Sequence, residues 1–240
     1  MDNRYEVVNP RYAPSRFWRA FVSSRVVQRV FVRVFKRLFG LHIRNLEQVP
    51  GSGPYIFAAN HGSHYDLFLA LAAVHSVSGQ MAVSTVWDGA YNIPVFGSIL
   101  KAVPCIAVDT RPGHSTERMK ALREMVAHLR AGRHLIIGSE GERRDELGKF
   151  EGGAAQLSLL THARVVPVSL LGVQELFRDL SWPNRYRGNV EIILHAPLDP
   201  AQFEAEGGSR KEIVARFTQA IRDTVAADLD YAVGGSSAKS

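Results

Sequence analysis

Two short stretches of the chain carry residue types that can move a proton or hold an anion. The first is Asn60-His61-Gly62-Ser63-His64-Tyr65-Asp66, set between the apolar run Tyr55-Ile56-Phe57-Ala58-Ala59 and a second apolar run from Leu67. An imidazole beside a carboxylate is the basis of general-base chemistry: the carboxylate fixes one ring nitrogen and leaves the other to accept a proton. Residues five apart on a continuous helix point about 140° apart. His61 and Asp66 therefore meet only if His61 lies in a loop and Asp66 in the first turn of the helix that follows, with Gly62 at the bend. A helix N-terminus close by helps keep the imidazole neutral near pH 7, as a base must be. Two other readings use the same residues. Ser63 and Asp66 have the spacing of a capping box, which satisfies backbone donors without any catalysis. His61, His64 and Asp66 also resemble part of a transition-metal ligand set, but the remaining histidines, His75, His114, His128, His134, His162 and His195, are scattered singly.

The second stretch is Ser139-Glu140-Gly141-Glu142-Arg143-Arg144, directly after the apolar His134-Leu135-Ile136-Ile137. Gly141 permits a tight turn, and the Arg143 guanidinium can hold a phosphate through two parallel hydrogen bonds. A serine-hydrolase elbow around Ser139 would need glycine at position 137, where the chain has Ile137. A solvated charged loop is the plainer alternative.

The elements that must position these residues alternate. Strand patterns fall at residues 54–59, 81–86, 105–108, 134–137, 165–170 and 189–195, and helical patterns at 66–77, 116–131 and 152–162, with a short one at 93–100 and a closing amphipathic helix at 209–229. This order predicts an α/β domain with a largely parallel central sheet flanked by helices. Active sites of such sheets gather at the carboxyl ends of strands, so two stretches that each follow a strand can share one crevice. The chain divides into an N-terminal amphipathic segment (1–44), the α/β domain (45–232) and a polar tail (233–240) expected to be disordered.

In the N-terminal segment, Arg25, Arg29, Arg33 and Arg37 recur every fourth residue, and Val26, Val27, Val30, Phe31, Val34, Phe35, Leu38 and Phe39 fill the positions between. Gly40 is placed to stop the helix. Like charges four apart repel along a helix, and an anionic lipid surface relieves that repulsion. This favours an interfacial anchor; the alternative is a helix packed on the domain with its arginines in solvent. A net charge of +6 over 240 residues fits an anionic partner. Nucleic acid is disfavoured because the arginines flank a continuous apolar face and not a recognisable reader motif. The uncharged stretch 67–87 is broken by His75, Ser76, Ser78, Gly79 and Gln80, which predicts helix, turn and strand in place of a membrane span. The single cysteine, Cys105, lies in an apolar run and excludes an internal disulfide.

Taken together, the motifs resemble those of the glycerolipid acyltransferases, whose best-known members acylate 1-acylglycerol 3-phosphate. Asn60-His61 with Asp66 resembles the family's NHxxxxD motif, and Glu140-Gly141-Glu142-Arg143 its EGxR block. Asp109-Thr110-Arg111, Phe150 with Gly153-Ala154, and Val166-Pro167-Val168 resemble the accompanying blocks in the same order. The resemblance implies that His61 deprotonates an acceptor hydroxyl and Asp66 orients it. It also implies that Asn60, Arg111, Glu140, Gly141 and Arg143 form the substrate site, with Arg143 on the acceptor phosphate. The implied donor is acyl-CoA or acyl carrier protein, the acceptor a lysophospholipid or other lipid alcohol, and neither cofactor nor metal is called for. The implied location is peripheral, on the cytoplasmic face of a membrane. Thr110 displaces the arginine of the middle block by one position, and Ser139 stands where the family usually has proline.

Overall fold

The computed structural model describes residues 25–51, 53–60, 66–93, 97, 100–101, 103–109, 111, 113–140, 147–172 and 190–236. The strands are β1 (His42–Arg44), β2 (Tyr55–Ala59), β3 (Val83–Trp87), β4 (Cys105–Val108), β5 (Leu135–Gly138), β6 (Arg164–Leu171) and β7 (Glu191–Leu194). The helices are α1 (Arg25–Phe39), α2 (Asp66–Ser78), α3 (Ser115–Arg130), α4 (Gly153–Thr161), α5 (Pro200–Ala205) and α6 (Arg210–Ser236). The strands form one sheet in the order β1-β7-β6-β2-β5-β3-β4. The run β6-β2-β5-β3-β4 is parallel, while β7 lies antiparallel to β6 and carries β1 parallel to itself. The largely parallel α/β arrangement expected from the alternating pattern is the one observed.

β2 is the middle strand, and every one of its residues is buried, as the unbroken apolar run requires of a strand covered on both faces. Its side chains alternate between two cores. Tyr55, Phe57 and Ala59 face α1 and α2; Ile56 and Ala58 face α3, α4 and α6. The sheet is thus a wall with α1 and α2 on one side and α3, α4 and α6 on the other. The stretch 67–87 resolves into nearly all of α2, a turn at Gly79 with φ 68°, and β3, as its polar break predicts.

Pro167 sits inside β6, between two neighbouring strands, where its missing N–H should cost a ladder bond. Its carbonyl accepts from His195 N at 3.1 Å, so the missing donor would point to the β7 side. There the β6–β7 ladder begins only at Val168 opposite Leu194, and the bridge beyond it, Val165 to Leu198, is out of register by one residue. The proline thus occupies a bulge, and pairing to β2 is intact through Ala58 opposite Pro167.

Two expectations about the ends change. α1 stops at Gly40, with φ 56°, and Leu41 N donates back to Lys36 O at 3.0 Å, a Schellman closure. Along α1, however, the apolar residues split. Val32 is buried against the α2 side of the sheet, while Val26, Val30 and Val34 are 67%, 52% and 49% exposed beside the exposed Arg29, Arg33 and Arg37. At the other end α6 runs on to Ser236, past the point at 233 where a disordered tail is expected, and residues 237–240 lie outside the described residues. Each glycine costs a helix about 1 kcal/mol, and a helix already nucleated over many turns can extend across Gly234 and Gly235.

Candidate active site

The two chemistry-bearing stretches leave neighbouring strands at the same level. β2 pairs with β5 so that Ala59 lies opposite Gly138, and Ser139 N donates to Ala59 O at 2.8 Å. Asn60 and Ser139 are thus adjacent first residues beyond the paired strands, at the carboxyl edge of the centre of the sheet. Parallel pairing in this register fixes that adjacency, and nothing in their separation along the chain does.

Asn60 is buried and its amide is committed to the backbone. Its Oδ1 accepts from Leu170 N at 2.8 Å, and its Nδ2 donates to Leu170 O at 3.1 Å. A side-chain amide offers the same donor and acceptor as a peptide group, so Asn60 extends the β2–β6 ladder one step past the end of the strand. Its observed work is to fix where the chain leaves the sheet. Asp66 opens α2 and is buried, with its carboxylate in the first turn, where the helix macrodipole favours negative charge. His61 and His64, between these two anchors, lie outside the described residues.

Glu140 is buried too, and its Oε2 accepts from Gly148 N at 2.7 Å. Ser139 O accepts from Glu151 N at 2.7 Å. These two bonds pin both ends of the segment 141–146, which itself lies outside the described residues and includes Gly141 and Arg143. Phe150 and Ala154, also within the resemblance, are core residues against α3 and α6. A Cβ on Gly152 would come within 2.9 Å of Val214, so α4 starts close against α6 there.

Arg111 is differently placed, at the end of the edge strand β4. Its Nε and backbone N both reach Asp109 Oδ1 at 2.9 Å, Nη2 contacts Asp109 Oδ2, and Nη2 also reaches Asp88 Oδ2 at 3.3 Å. His114 Nδ1 lies 2.8 Å from Asp109 Oδ2. The Arg111 hydrogen bonds hold the Asp109 carboxyl well below the usual carboxylate range, and Asp109 in turn pushes Arg111 up. The Arg111 side chain is 60% exposed, so it forms a rim cation already held by two carboxylates. Asp88 and His114 carry no sequence signal for this role; only the β3–β4 pairing brings their loops together.

Among the described residues no group of three or more His, Cys, Asp or Glu gathers as a metal site. Cys105 packs beside the small cluster of Ala90, Tyr91 and Leu100, where burial pushes its thiol up and away from the reactive thiolate.

The acyltransferase family model matches residues 40–171. The chain belongs to this acyltransferase family. It is 27% identical over 166 residues to the chloroplastic 1-acyl-sn-glycerol-3-phosphate acyltransferase LPAT1 of Arabidopsis thaliana, covering 67% of this chain and 44% of that one. It is 28% identical over 162 residues to the chloroplastic 1-acyl-sn-glycerol-3-phosphate acyltransferase BAT2 of Brassica napus, covering 65% and 44%. The chain thus spans less than half the length of these plant relatives. The crystal structure of the 1-acyl-sn-glycerophosphate (LPA) acyltransferase PlsC from Thermotoga maritima superposes with a TM-score of 0.61 at 21% identity, over 84% of this chain and 80% of that one. This acyltransferase therefore has the PlsC fold, and the matched span contains both motif-bearing strand ends.

Proposed function

We propose that this acyltransferase moves a fatty acyl group from a thioester, acyl-CoA or acyl carrier protein, to the free hydroxyl of a lysophospholipid at a membrane surface. The observation that carries this reading is the pairing of Ala59 with Gly138, which starts the Asn60–Asp66 loop and the Glu140–Arg143 loop side by side.

In the proposed step, His61 accepts the proton of the acceptor hydroxyl as its oxygen attacks the thioester carbonyl. The tetrahedral oxyanion then collapses, the carbon–sulfur bond breaks, and the leaving thiolate takes the proton back from His61. Products are the acyl ester and a free thiol, with no covalent enzyme intermediate. Asp66 orients the imidazole from the start of α2. Arg143, on a loop pinned through Glu140 and shaped by Gly141, binds the acceptor phosphate bidentately. Both plant relatives are named for 1-acylglycerol 3-phosphate, which makes lysophosphatidate the first acceptor to try. Ser139 in place of proline and the displaced Arg111 make other lysolipids worth including.

α1 supplies the surface contact in this reading. Val26, Val30 and Val34 face outward next to Arg29, Arg33 and Arg37, so apolar insertion and attraction to anionic headgroups act on one side of one helix. No helix among the described residues is long and apolar enough to cross a membrane.

Incubating the purified chain with labelled palmitoyl-CoA and a panel of lysolipids tests the reading directly. His61→Ala is expected to lower kcat by about 10²- to 10⁴-fold with its circular dichroism spectrum unchanged. Wild-type rates retained in His61→Ala would refute the general-base assignment, and rates abolished by a chelator would point to metal-dependent chemistry.

A further inference from the structure

The exposed large apolar residues described here fall mainly in two places on opposite faces of the sheet. One is the valine row of α1. The other is a groove of about 500 Å³ between α3 and α4, floored by Met119, Leu122, Val126 and Leu160 and edged by Arg123 and Arg130. Met119 and Leu160 are 48% and 47% exposed and lie together here, beside Leu122 and Val126, which pack down onto the core.

We infer that this groove docks an acyl carrier protein through an acidic amphipathic helix, and that the protein-borne thioester is a donor for this enzyme. The inference rests on the acyl-transfer reading above and adds a site for one of its two donors. Charge selects the occupant. At 100° per residue, Met119, Arg123, Val126, Ala127 and Arg130 share one face of α3, with Lys120 at its flank. The two acids of α3, Glu117 and Glu124, fall on the other side of the helix, and Glu124 is buried. Among the described residues no carboxylate pairs with Arg123 or Arg130. An apolar floor between unpaired guanidiniums complements a helix that alternates apolar and acidic side chains. A second copy of this chain, at +6, brings like charge to the same contact. A lipid surface engaged by the α1 valines lies on the opposite side of the sheet.

The groove is also away from the chemical centre in the way a carried substrate requires. α3 begins beyond the carboxyl end of β4, and Met119 is about one turn below that start. A carrier seated on α3 therefore has its upper end at the same edge of the sheet as Asn60 and Glu140, and a flexible thioester arm spans the rest. A free acyl-CoA has no protein body to place there, so only the carrier form gains from the groove.

The test measures binding and turnover separately on the full chain. Fluorescence titration with palmitoyl acyl carrier protein should give saturable binding that weakens when salt is raised to about 0.5 M. R123E/R130E should weaken it about tenfold or more, and L160E, which leaves the rim charges in place, should weaken it too. In turnover, R123E/R130E should lose about tenfold in kcat/KM with the carrier-protein donor while palmitoyl-CoA rates stay within about twofold. Equal losses with both donors, or carrier binding indifferent to both variants, would overturn the inference. So would wild-type chain that does not bind the carrier, dimerises through Met119 and Leu160, or binds vesicles through the groove arginines. If wild-type chain consumes neither donor, the acyl-transfer reading fails, while the titration still judges the groove.

Discussion

The centre of the sheet and its β4 edge present polar side chains in opposite ways. At the centre, Asn60, Asp66 and Glu140 are all buried, and the hydrogen bonds resolved for Asn60 and Glu140 run to main-chain atoms, those of Leu170 on β6 and of Gly148 across the following loop. At the edge, Arg111 is exposed and held by the carboxylates of Asp109 and Asp88. Backbone anchoring in a dry setting fixes position, because leaving either partner unsatisfied costs about 1–3 kcal/mol. The Arg111 guanidinium, shared between two carboxylates, keeps one face to solvent and can exchange partners there. The centre is therefore built to hold a geometry and the edge to meet solvent or an incoming anion. The difference argues for chemistry between β2 and β5, with Arg111 at the rim.

The largest effect expected to sharpen this contrast is on Asp66. If its carboxylate orients His61, Asp66→Asn lowers kcat by about 10²-fold or more, while stability falls by about 1 kcal/mol. A stability loss alone, with kcat intact, would reduce Asp66 to a helix cap. Next comes Asn60→Ala, which strands the N–H and C=O of Leu170. A loss of about 3 kcal/mol is expected from urea titration, and a neutral result would break the account of Asn60 as a ladder extension.

At the edge, Arg111→Ala leaves the buried Asp109 carboxylate with only the main-chain N–H of residue 111 and His114, so a stability loss of about 1 kcal/mol is expected, with acceptor KM changed by about threefold or less. A rise in KM of about tenfold or more would move Arg111 from the rim into the binding site. Smallest is a pH effect in the opposite helical layer. Burial first, and the Arg133 charge second, push His128 down to about 4. The unfolded chain protonates this imidazole near 6.5, so it binds more protons than the fold between pH 6.5 and 4. Stability should therefore fall as pH drops through that window. His128→Gln should flatten the fall by on the order of 1 kcal/mol in denaturant titrations at pH 7 and 5; an unchanged slope would contradict the shift.

Much of this fold is legible locally. The unbroken apolar run at 55–59 and the largely apolar run at 165–170 announce strands covered on both faces, and Gly40 marks the end of α1, because burial and backbone stereochemistry act on a few consecutive residues. The short strand β1 is not legible in this way: His42-Ile43-Arg44 has no alternation long enough to read, and it becomes a strand only by pairing with β7. The valines of α1 were equally ambiguous. Periodicity puts them on a helix, but only packing shows that Val32 turns inward while Val26, Val30 and Val34 turn out.

By itself, the sequence determined an α/β domain, the residue types able to act as base, orienter and phosphate clamp, and their order along the chain. The tertiary structure decided which of them become neighbours, because β2 and β5 are brought side by side by hydrogen bonding between segments far apart in the chain. It also decided that Asn60 serves the backbone and that Arg111 is already bound by Asp109 and Asp88. Local stereochemistry writes elements into adjacent residues; partners that come from distant strands are chosen by the packing of the whole sheet.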